Sequence, residues 1–347
     1  MLSYDGVEIL KTRKRNPLNA WHAPGGTKTE SSDPRHASNR AWNRYAKVGV
    51  NYDGSRLKLD DPVFAMGSCF AREIEKSLKE KGGRVVSIDD RVYRTEFGSA
   101  KGSFLGFFNR FTPWAMWQEF KRCFDELPGW SDEALLVPGQ GEEVVDLHYW
   151  ILEGSPSTLE DALTRRRIAR DLVREVVGAK VVILTLGLIE AWYHKPSGLY
   201  VNHPKPNLLA RKPWDFELRL MQTDDVIACL EEIHDLIKRH HVDGDFEFVV
   251  TVSPVPMGAT FTDKDVIVAN AESKAVLRAA AGAFAERRPR VRYFPSYEMV
   301  TLSALGLAWM PDRLHVKKGM VDWVIDTFMQ AYYEPAAILA PLAKPPR

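Results

Sequence analysis

Short apolar runs alternate with amphipathic stretches from residue 63 onward. Residues 63–66 form an apolar run typical of a buried strand, and residues 70–81 place apolar side chains at helical spacing before a Gly82-Gly83 stop. Residues 84–88 then predict a second strand. Strand, helix and strand together form a βαβ unit, the building block of a parallel sheet.

The alternation continues almost to the end of the chain. Further strands are predicted at residues 147–152, 180–185, 246–252 and 291–294, and further helices at residues 113–124, 158–177, 223–239, 269–285 and 318–332. Two helix starts carry N-cap candidates, Thr112 for one and Ser157 or Thr158 for the other. The runs at 180–185 and 246–252 are typical of central strands covered on both faces. We therefore expect an α/β fold, a three-layer α/β/α sandwich with a mainly parallel sheet.

Composition divides the chain into three parts. Residues 1–60 are rich in Asn, Arg, Pro, Ser and Gly and predict an irregular N-terminal extension. Residues 61–334 carry the α/β pattern as one domain, with a helical insertion at about residues 104–178. Residues 335–347 contain four prolines and predict a C-terminal tail.

Charge and cysteine usage exclude several classes of protein. The 347 residues include 47 basic and 46 acidic side chains, so the formal net charge of +1 indicates no nucleic-acid partner. No stretch has the apolar length of a membrane span or a secretory signal, which predicts a cytoplasmic protein. Cys69, Cys123 and Cys229 are far apart and lack CxxC or Cys/His spacing. This argues against a disulfide framework and against a metal site.

The residues that can carry chemistry follow the predicted strands. They lie in four segments: Gly67-Ser68-Cys69, residues 185–192, residues 251–256 and residues 309–315. The carboxyl ends of parallel strands share one edge of a sheet, where ligands bind in open α/β folds. We therefore expect the four segments to converge on one site.

Cys69 stands at the corner between the first strand and its helix. Free backbone N–H groups and the helix dipole favour a thiolate there, so we expect a lowered thiol pKa and a nucleophilic role. The alternative is a small buried filler, a common role for an isolated cysteine. Cys123 and Cys229 fall on apolar sides of predicted helices, where core packing is expected.

Asp312 and His315 place an acid and a base within one short turn. Their spacing lets the carboxylate orient the imidazole, as in hydrolytic triads. The alternative is a structural histidine before the last helix.

These motifs, in this order, resemble the GSCFA-domain family, a branch of the SGNH/GDSL hydrolase-like superfamily. The resemblance spans roughly residues 60–330 and rests on Gly67-Ser68-Cys69-Phe70-Ala71, residues 185–192, residues 251–256, residues 294–298 and Asp312-x-x-His315. It implies an SGNH/flavodoxin-like version of the expected sandwich.

The resemblance implies a role for each motif residue. The Gly-Asp-Ser block of the superfamily, laid on this chain in register, puts Cys69 at the nucleophile position and Ser68 where the superfamily has Asp. His315 is then the general base and Asp312 its orienting acid. Ile189 stands where the superfamily has an oxyanion asparagine.

Four further residues are expected to complete the site. The side chain of Asn109 is a candidate oxyanion donor beside the backbone N–H of Cys69. Gly187 belongs to the block that contains Ile189. Glu190 would bond substrate hydroxyls, orient its loop or form a structural ion pair. Trp192 would line an acyl or carbohydrate pocket.

The expected activity is acyl transfer through an acyl-enzyme on Cys69, with His315 and Asp312 as base and acid. The resemblance implies O-acyl groups of carbohydrate or an acyl-CoA donor as substrates, a small-molecule or carbohydrate partner, and no required cofactor. One alternative is an SGNH-type esterase with Ser68 as nucleophile. Another is a non-catalytic carbohydrate-binding or scaffold protein, because Ile189 replaces the oxyanion asparagine. The sequence assigns no oligomeric state.

Overall fold

The protein is a mixed α/β fold, seen in a computed structural model that describes residues 5–21, 33–42, 44–88, 108–139, 141, 143–149, 158–202 and 206–335. Its helices are α1 (Gly6–Arg15), α2 (Cys69–Glu80), α3 (Pro113–Cys123), α4 (Leu159–Arg174), α5 (Pro206–Arg211), α6 (Thr223–His240), α7 (Val266–Arg287), α8 (Ser296–Thr301), α9 (Leu305–Ala308) and α10 (Lys318–Tyr332). Its strands are β1 (Val63–Gly67), β2 (Leu136–Pro138), β3 (Val144–Asp146), β4 (Val181–Leu186), β5 (Glu190–His194), β6 (Leu199–Val201), β7 (Phe216–Leu220), β8 (Glu247–Val252) and β9 (Val291–Tyr293). None of the described helices combines the length and apolarity needed to cross a membrane.

Four strands form a parallel central sheet in the order β1, β4, β8, β9. Val63 of β1 pairs with Val181 of β4, which pairs with Glu247 of β8. Every residue of these three strands is buried, as their apolar runs predict. The prediction of a mainly parallel sheet is confirmed.

The segment predicted as a second strand, residues 84–88, is not a full strand. Val85 makes an isolated parallel bridge to Val63, and Val63 exchanges backbone hydrogen bonds with Arg84 and Val86. The segment therefore extends the sheet beyond β1 by a single bridge.

Helices cover both faces of the central sheet. On one face, Phe64 and Phe248 pack in an apolar cluster with residues of α3, α6 and α7. On the other face, Val63 and Val249 pack with residues of α2, α8 and α10. Successive residues of a strand point to opposite faces, so each strand feeds both clusters.

Two antiparallel sheets were not predicted. Strand β5 pairs with β6 and β7, so that Trp192 lies opposite Val201 and Leu218. Strands β2 and β3 form a hairpin. Strand β3 ends at Asp146, so the predicted strand is absent at residues 147–149, and residues 150–152 lie outside the described residues. The strands of these two sheets have three to five residues, which is too few alternations for a period of two to be recognised.

The sequence predicts an irregular N-terminal extension and a C-terminal tail. The N-terminal part contains the ten-residue helix α1, whose N-cap Asp5 accepts a hydrogen bond from the backbone N–H of Val7 at 2.9 Å. The expectation of an irregular extension is therefore wrong for this segment. Residues 336–347 of the expected tail lie outside the described residues.

The expected helical insertion contributes to the main core. Met116 and Phe120 of α3 belong to the same apolar cluster as the central sheet. Both capping predictions hold, since Thr112 Oγ1 accepts from the Ala115 N–H at 3.2 Å and Thr158 caps α4. Ser157 lies outside the described residues. The insertion is thus partly integral to the domain.

Candidate active site

The corner between β1 and α2 is built around Gly67. A Cβ atom at this position would lie 2.4 Å from the Thr185 carbonyl oxygen and 2.7 Å from Thr185 Cβ. Only glycine therefore lets β1 approach β4 this closely. Ser68 follows as the N-cap, with its backbone N–H 3.4 Å from the same carbonyl oxygen, and Cys69 is the first residue of α2.

A cavity of about 390 Å³ opens at this corner, and we call it the Cys69 cavity. Its walls are Ser68 and Cys69 after β1; Gly187, Leu188, Glu190 and Trp192 after β4; Ser253, residues 255–259 and Phe261 after β8; and Phe111 and Asn202. Three of the four predicted segments therefore converge on it. Its volume lies in the range of small-molecule sites.

The Cys69 thiol is partly buried in the cavity wall. Burial raises the pKa of this thiol, and it outweighs the Phe70 backbone N–H and the Lys274 ammonium, which both favour the thiolate. The expectation of a lowered pKa is wrong because the cost of desolvation exceeds the help from the helix N-terminus. The thiol is therefore protonated at neutral pH and needs a proton acceptor to become a nucleophile.

Two buried hydroxyl groups belong to the same walls. Ser68 Oγ and Ser253 Oγ have no hydrogen-bond partner within the described part of the chain. A buried hydroxyl without a partner is costly, so each of these groups is available to a polar atom of a ligand.

Glu190 holds one wall of the cavity. Its carboxylate accepts hydrogen bonds from Thr260 Oγ1 and from the backbone N–H of Phe261, the latter at 3.1 Å. Among the expected roles, the contacts show loop orientation. Trp192 packs edge-on against Phe261 with ring centroids 4.9 Å apart, which makes this wall apolar.

Asn109, the expected asparagine donor, lies opposite Gly67 in an isolated parallel bridge, and its Oδ1 is buried without a hydrogen-bond partner in the described part of the chain. Asn109 is not among the described residues that line the cavity, and its carbonyl oxygen accepts from Asn202 Nδ2 at 2.6 Å. Asn202 is the asparagine of the cavity wall, and its Oδ1 accepts from the Phe111 N–H at 2.9 Å. Ile189 is buried in the core, with its N–H bonded to Ser273 Oγ at 3.1 Å. The sequence did not predict Asn202 as a site residue, because Asn202 follows β6, a strand of the antiparallel sheet that was not predicted.

Lys274 of α7 is a buried lysine that was not predicted as a site residue. Its Nζ donates to the carbonyl oxygen of Gly187, a cavity residue, at 2.8 Å. Burial lowers the pKa of Lys274 to about 7, and the neighbouring Cys69 thiolate opposes this shift. One signal was present in the sequence: Lys274 shares the buried face of its helix with Leu277 and Ala281.

Asp312 and His315 form the predicted pair. His315 Nδ1 lies 2.7 Å from Asp312 Oδ2, and the hydrogen bond with His315 contributes most to lowering the pKa of Asp312 to about 2. Both side chains are exposed, and neither is among the described residues that line the Cys69 cavity. Trp309 and Val316, which flank this turn, share an apolar cluster with the cavity residue Val255. The turn is thus linked to the cavity through that cluster.

The other two cysteines are buried. Burial raises the pKa of both Cys123 and Cys229, in agreement with core packing. Within the ranges that the structure describes, no three His, Cys, Asp or Glu side chains are grouped as metal ligands would be.

The fold and this site define an α/β protein that presents a cysteine at the carboxyl edge of a parallel sheet. Residues 62–328 match the GSCFA family, and the chain belongs to this family. No curated protein matches the chain in sequence.

Proposed function

We propose that the protein is an acyl-transfer enzyme that forms an acyl-enzyme on Cys69. One observation carries this proposal: the Cys69 thiol lies at the first turn of α2 and in the wall of a largely apolar cavity. A thiol at a helix N-terminus meets backbone N–H groups that can stabilise the oxyanion formed when it attacks a carbonyl. We also propose that the fold is an α/β/α sandwich of the SGNH/GDSL superfamily; the parallel sheet covered by helices and the late Asp-x-x-His pair support this proposal.

The reaction would proceed in two steps. Cys69 loses its thiol proton, its sulfur attacks the acyl carbon of an ester or thioester, and a C–S bond forms as the bond from the acyl carbon to the alcohol or thiol breaks. The leaving alcohol or thiol takes up the proton that Cys69 lost. Water or an acceptor hydroxyl then attacks the thioester, loses its proton, and releases Cys69. The Asp312–His315 pair is assigned to proton transfer, because Asp312 holds Nδ1 and leaves Nε2 to exchange protons.

The cavity walls favour an acyl group over a bare sugar as the buried part of the substrate. Trp192 and Phe261 form an apolar surface, while the unpartnered hydroxyls of Ser68 and Ser253 mark where polar atoms of the substrate would lie. A carbohydrate hydroxyl or the thiol end of coenzyme A would then meet the acyl carbon from the open side. No cofactor is required by this chemistry.

Intact-mass spectrometry tests the proposal. The protein is incubated with acetyl-CoA, with longer acyl-CoA thioesters and with chromogenic acyl esters, and adducts are mapped by peptide. We expect one acyl group on Cys69, absent in Cys69→Ala and retained in Ser68→Ala. Turnover that survives Cys69→Ala but not Ser68→Ala would instead establish the esterase alternative on Ser68, whose buried hydroxyl also faces the cavity.

The scaffold alternative has its own outcome in the same experiment. Saturable glycan binding with no covalent adduct from any donor would contradict acyl transfer and support a carbohydrate-binding protein. Its basis is the position of Ile189, which is buried in the core and contributes no side-chain donor to the cavity.

A further inference from the structure

Lys274 is buried without a counter-charge in the described part of the chain. Its side chain lies on the buried face of α7, and among the described residues no carboxylate contributes to the shift of its pKa. An isolated buried ammonium costs several kcal/mol, so a lysine there calls for a role besides packing. Its hydrogen bond to the Gly187 carbonyl oxygen, at 2.8 Å, places Nζ against the cavity wall, at a residue whose Cβ, if present, would lie 3.4 Å from the Cβ of Ser68.

Lys274 and Cys69 act on each other electrostatically. The Lys274 ammonium favours the Cys69 thiolate, and the thiolate favours the ammonium. The other charge that acts on the thiol comes from Glu73 of α2, and it disfavours the thiolate. Glu190, the carboxylate in the cavity wall, is bound to Thr260 and Phe261. Lys274 is therefore the cation placed to balance a thiolate on Cys69.

Burial disfavours the charged form of both groups, so the thiol is protonated at neutral pH and the neutral amine of Lys274 becomes the major form above about pH 7. A neutral amine has a lone pair that can accept a proton. The pair Cys69 and Lys274 can hold one proton between them in two arrangements, thiol with amine or thiolate with ammonium.

We propose that Lys274 accepts the proton of Cys69 and stabilises the resulting thiolate, an inference that rests on the proposed acyl transfer at Cys69. The Sγ–H bond breaks, its electron pair stays on sulfur, and a third N–H bond forms at Nζ. Lys274 is thus a positioning residue that acts through Cys69, and the Asp312–His315 pair remains for protons of the leaving group and the acceptor.

Alkylation of Cys69 by iodoacetamide as a function of pH tests this role without any acyl donor. Only the thiolate reacts, so the rate reports its population. A pair that shares one proton gives two rises in rate, the first near pH 7 as the pair loses its first proton and the second at higher pH. We expect two rises in the wild type and a single rise at high pH in Lys274→Met, with a rate at pH 8 lower by about tenfold or more, equivalent to one pKa unit.

Three variants serve as controls. Lys274→Arg keeps a permanent charge and gives a single rise, at lower pH than in Lys274→Met. Ser273→Ala removes the neighbouring hydrogen bond to Ile189 without changing charge, and keeps both rises. His315→Ala also keeps both rises. The buried Cys123 and Cys229 serve as unreactive references in the peptide maps.

A single rise in the wild-type protein would overturn the proposal without any variant, even if Lys274→Met fails to fold. A first rise that survives Lys274→Met but disappears in His315→Ala would assign the proton to His315 instead. Mass spectrometry tests the acyl-enzyme separately. An acyl adduct on Cys69 together with a single rise in alkylation rate contradicts only the role of Lys274. Two rises without any adduct contradict only acyl transfer.

Discussion

Glu190 accepts a hydrogen bond from the backbone N–H of Phe261 at 3.1 Å, and this contact joins the start of β5 to the loop that follows β8. Both residues line the Cys69 cavity. Of the three roles expected for Glu190, substrate contact, loop orientation and a structural ion pair, these contacts favour loop orientation. Loss of the Glu190 carboxylate should therefore change the shape of the cavity rather than the reacting groups.

Glu190→Ala should free the loop that carries Phe261. Hydrogen bonds to a buried carboxylate contribute roughly 1–3 kcal/mol, and their loss leaves a backbone N–H without a partner. We expect faster hydrogen exchange at the Phe261 amide and a higher KM for the acyl donor. Glu190→Gln retains an acceptor oxygen and should show a smaller change, whereas unchanged exchange in Glu190→Ala would contradict this role.

Gly67→Ala should destabilise the protein by roughly 1–3 kcal/mol, as expected of a side chain forced into a packed site. The new Cβ would lie 2.4 Å from the Thr185 carbonyl oxygen, so β1 and β4 must separate. Urea unfolding measures the change. Gly258→Ala is the matched control, because a Cβ there meets nothing within 4 Å and should cost less than about 0.5 kcal/mol.

The buried Lys274 should make folding stability depend on pH. Its folded-state pKa of about 7 is below the ordinary value of 10.5, so between these values the unfolded chain binds more protons. The free energy of unfolding of the wild type should therefore rise with pH above 7, by up to about 1.4 kcal/mol per pH unit, relative to Lys274→Met. Urea unfolding from pH 6 to 8.5 measures the difference between the two proteins. A constant difference would contradict the buried neutral lysine.

Asp312 should select one tautomer of His315. Its carboxylate accepts from Nδ1 at 2.7 Å, so neutral His315 carries its proton on Nδ1 and leaves Nε2 as the basic nitrogen. Long-range proton–nitrogen NMR of labelled protein distinguishes the two nitrogens. We expect the Nδ1–H form in the wild type and a mixture in Asp312→Ala, and a dominant Nε2–H form in the wild type would contradict the pair.

Much of the central fold was predictable from the sequence because burial repeats at short range. The apolar stripe of the last helix predicted residues 318–332, and the structure has α10 at Lys318–Tyr332. The apolar runs of β4 and β8 predicted central parallel strands for the same reason. The hairpin of β5 and β6 and its pairing with β7 could not be predicted, because those short strands are stabilised by partners elsewhere in the chain.

The candidate site also has features that the local sequence predicted and features that depend on the folded chain. Local patterns were sufficient to place Gly67 at a turn and Cys69 at the start of a helix, because the change from strand to helix spacing occurs within a few residues. The environment of that thiol depends on residues brought near it by folding. Burial raises its pKa, Lys274 of α7 bonds to the wall residue Gly187, and Asp312 and His315 are not among the described residues that line the cavity. Desolvation and charge–charge interactions act through space, so these features depend on distances that only packing of the whole chain creates.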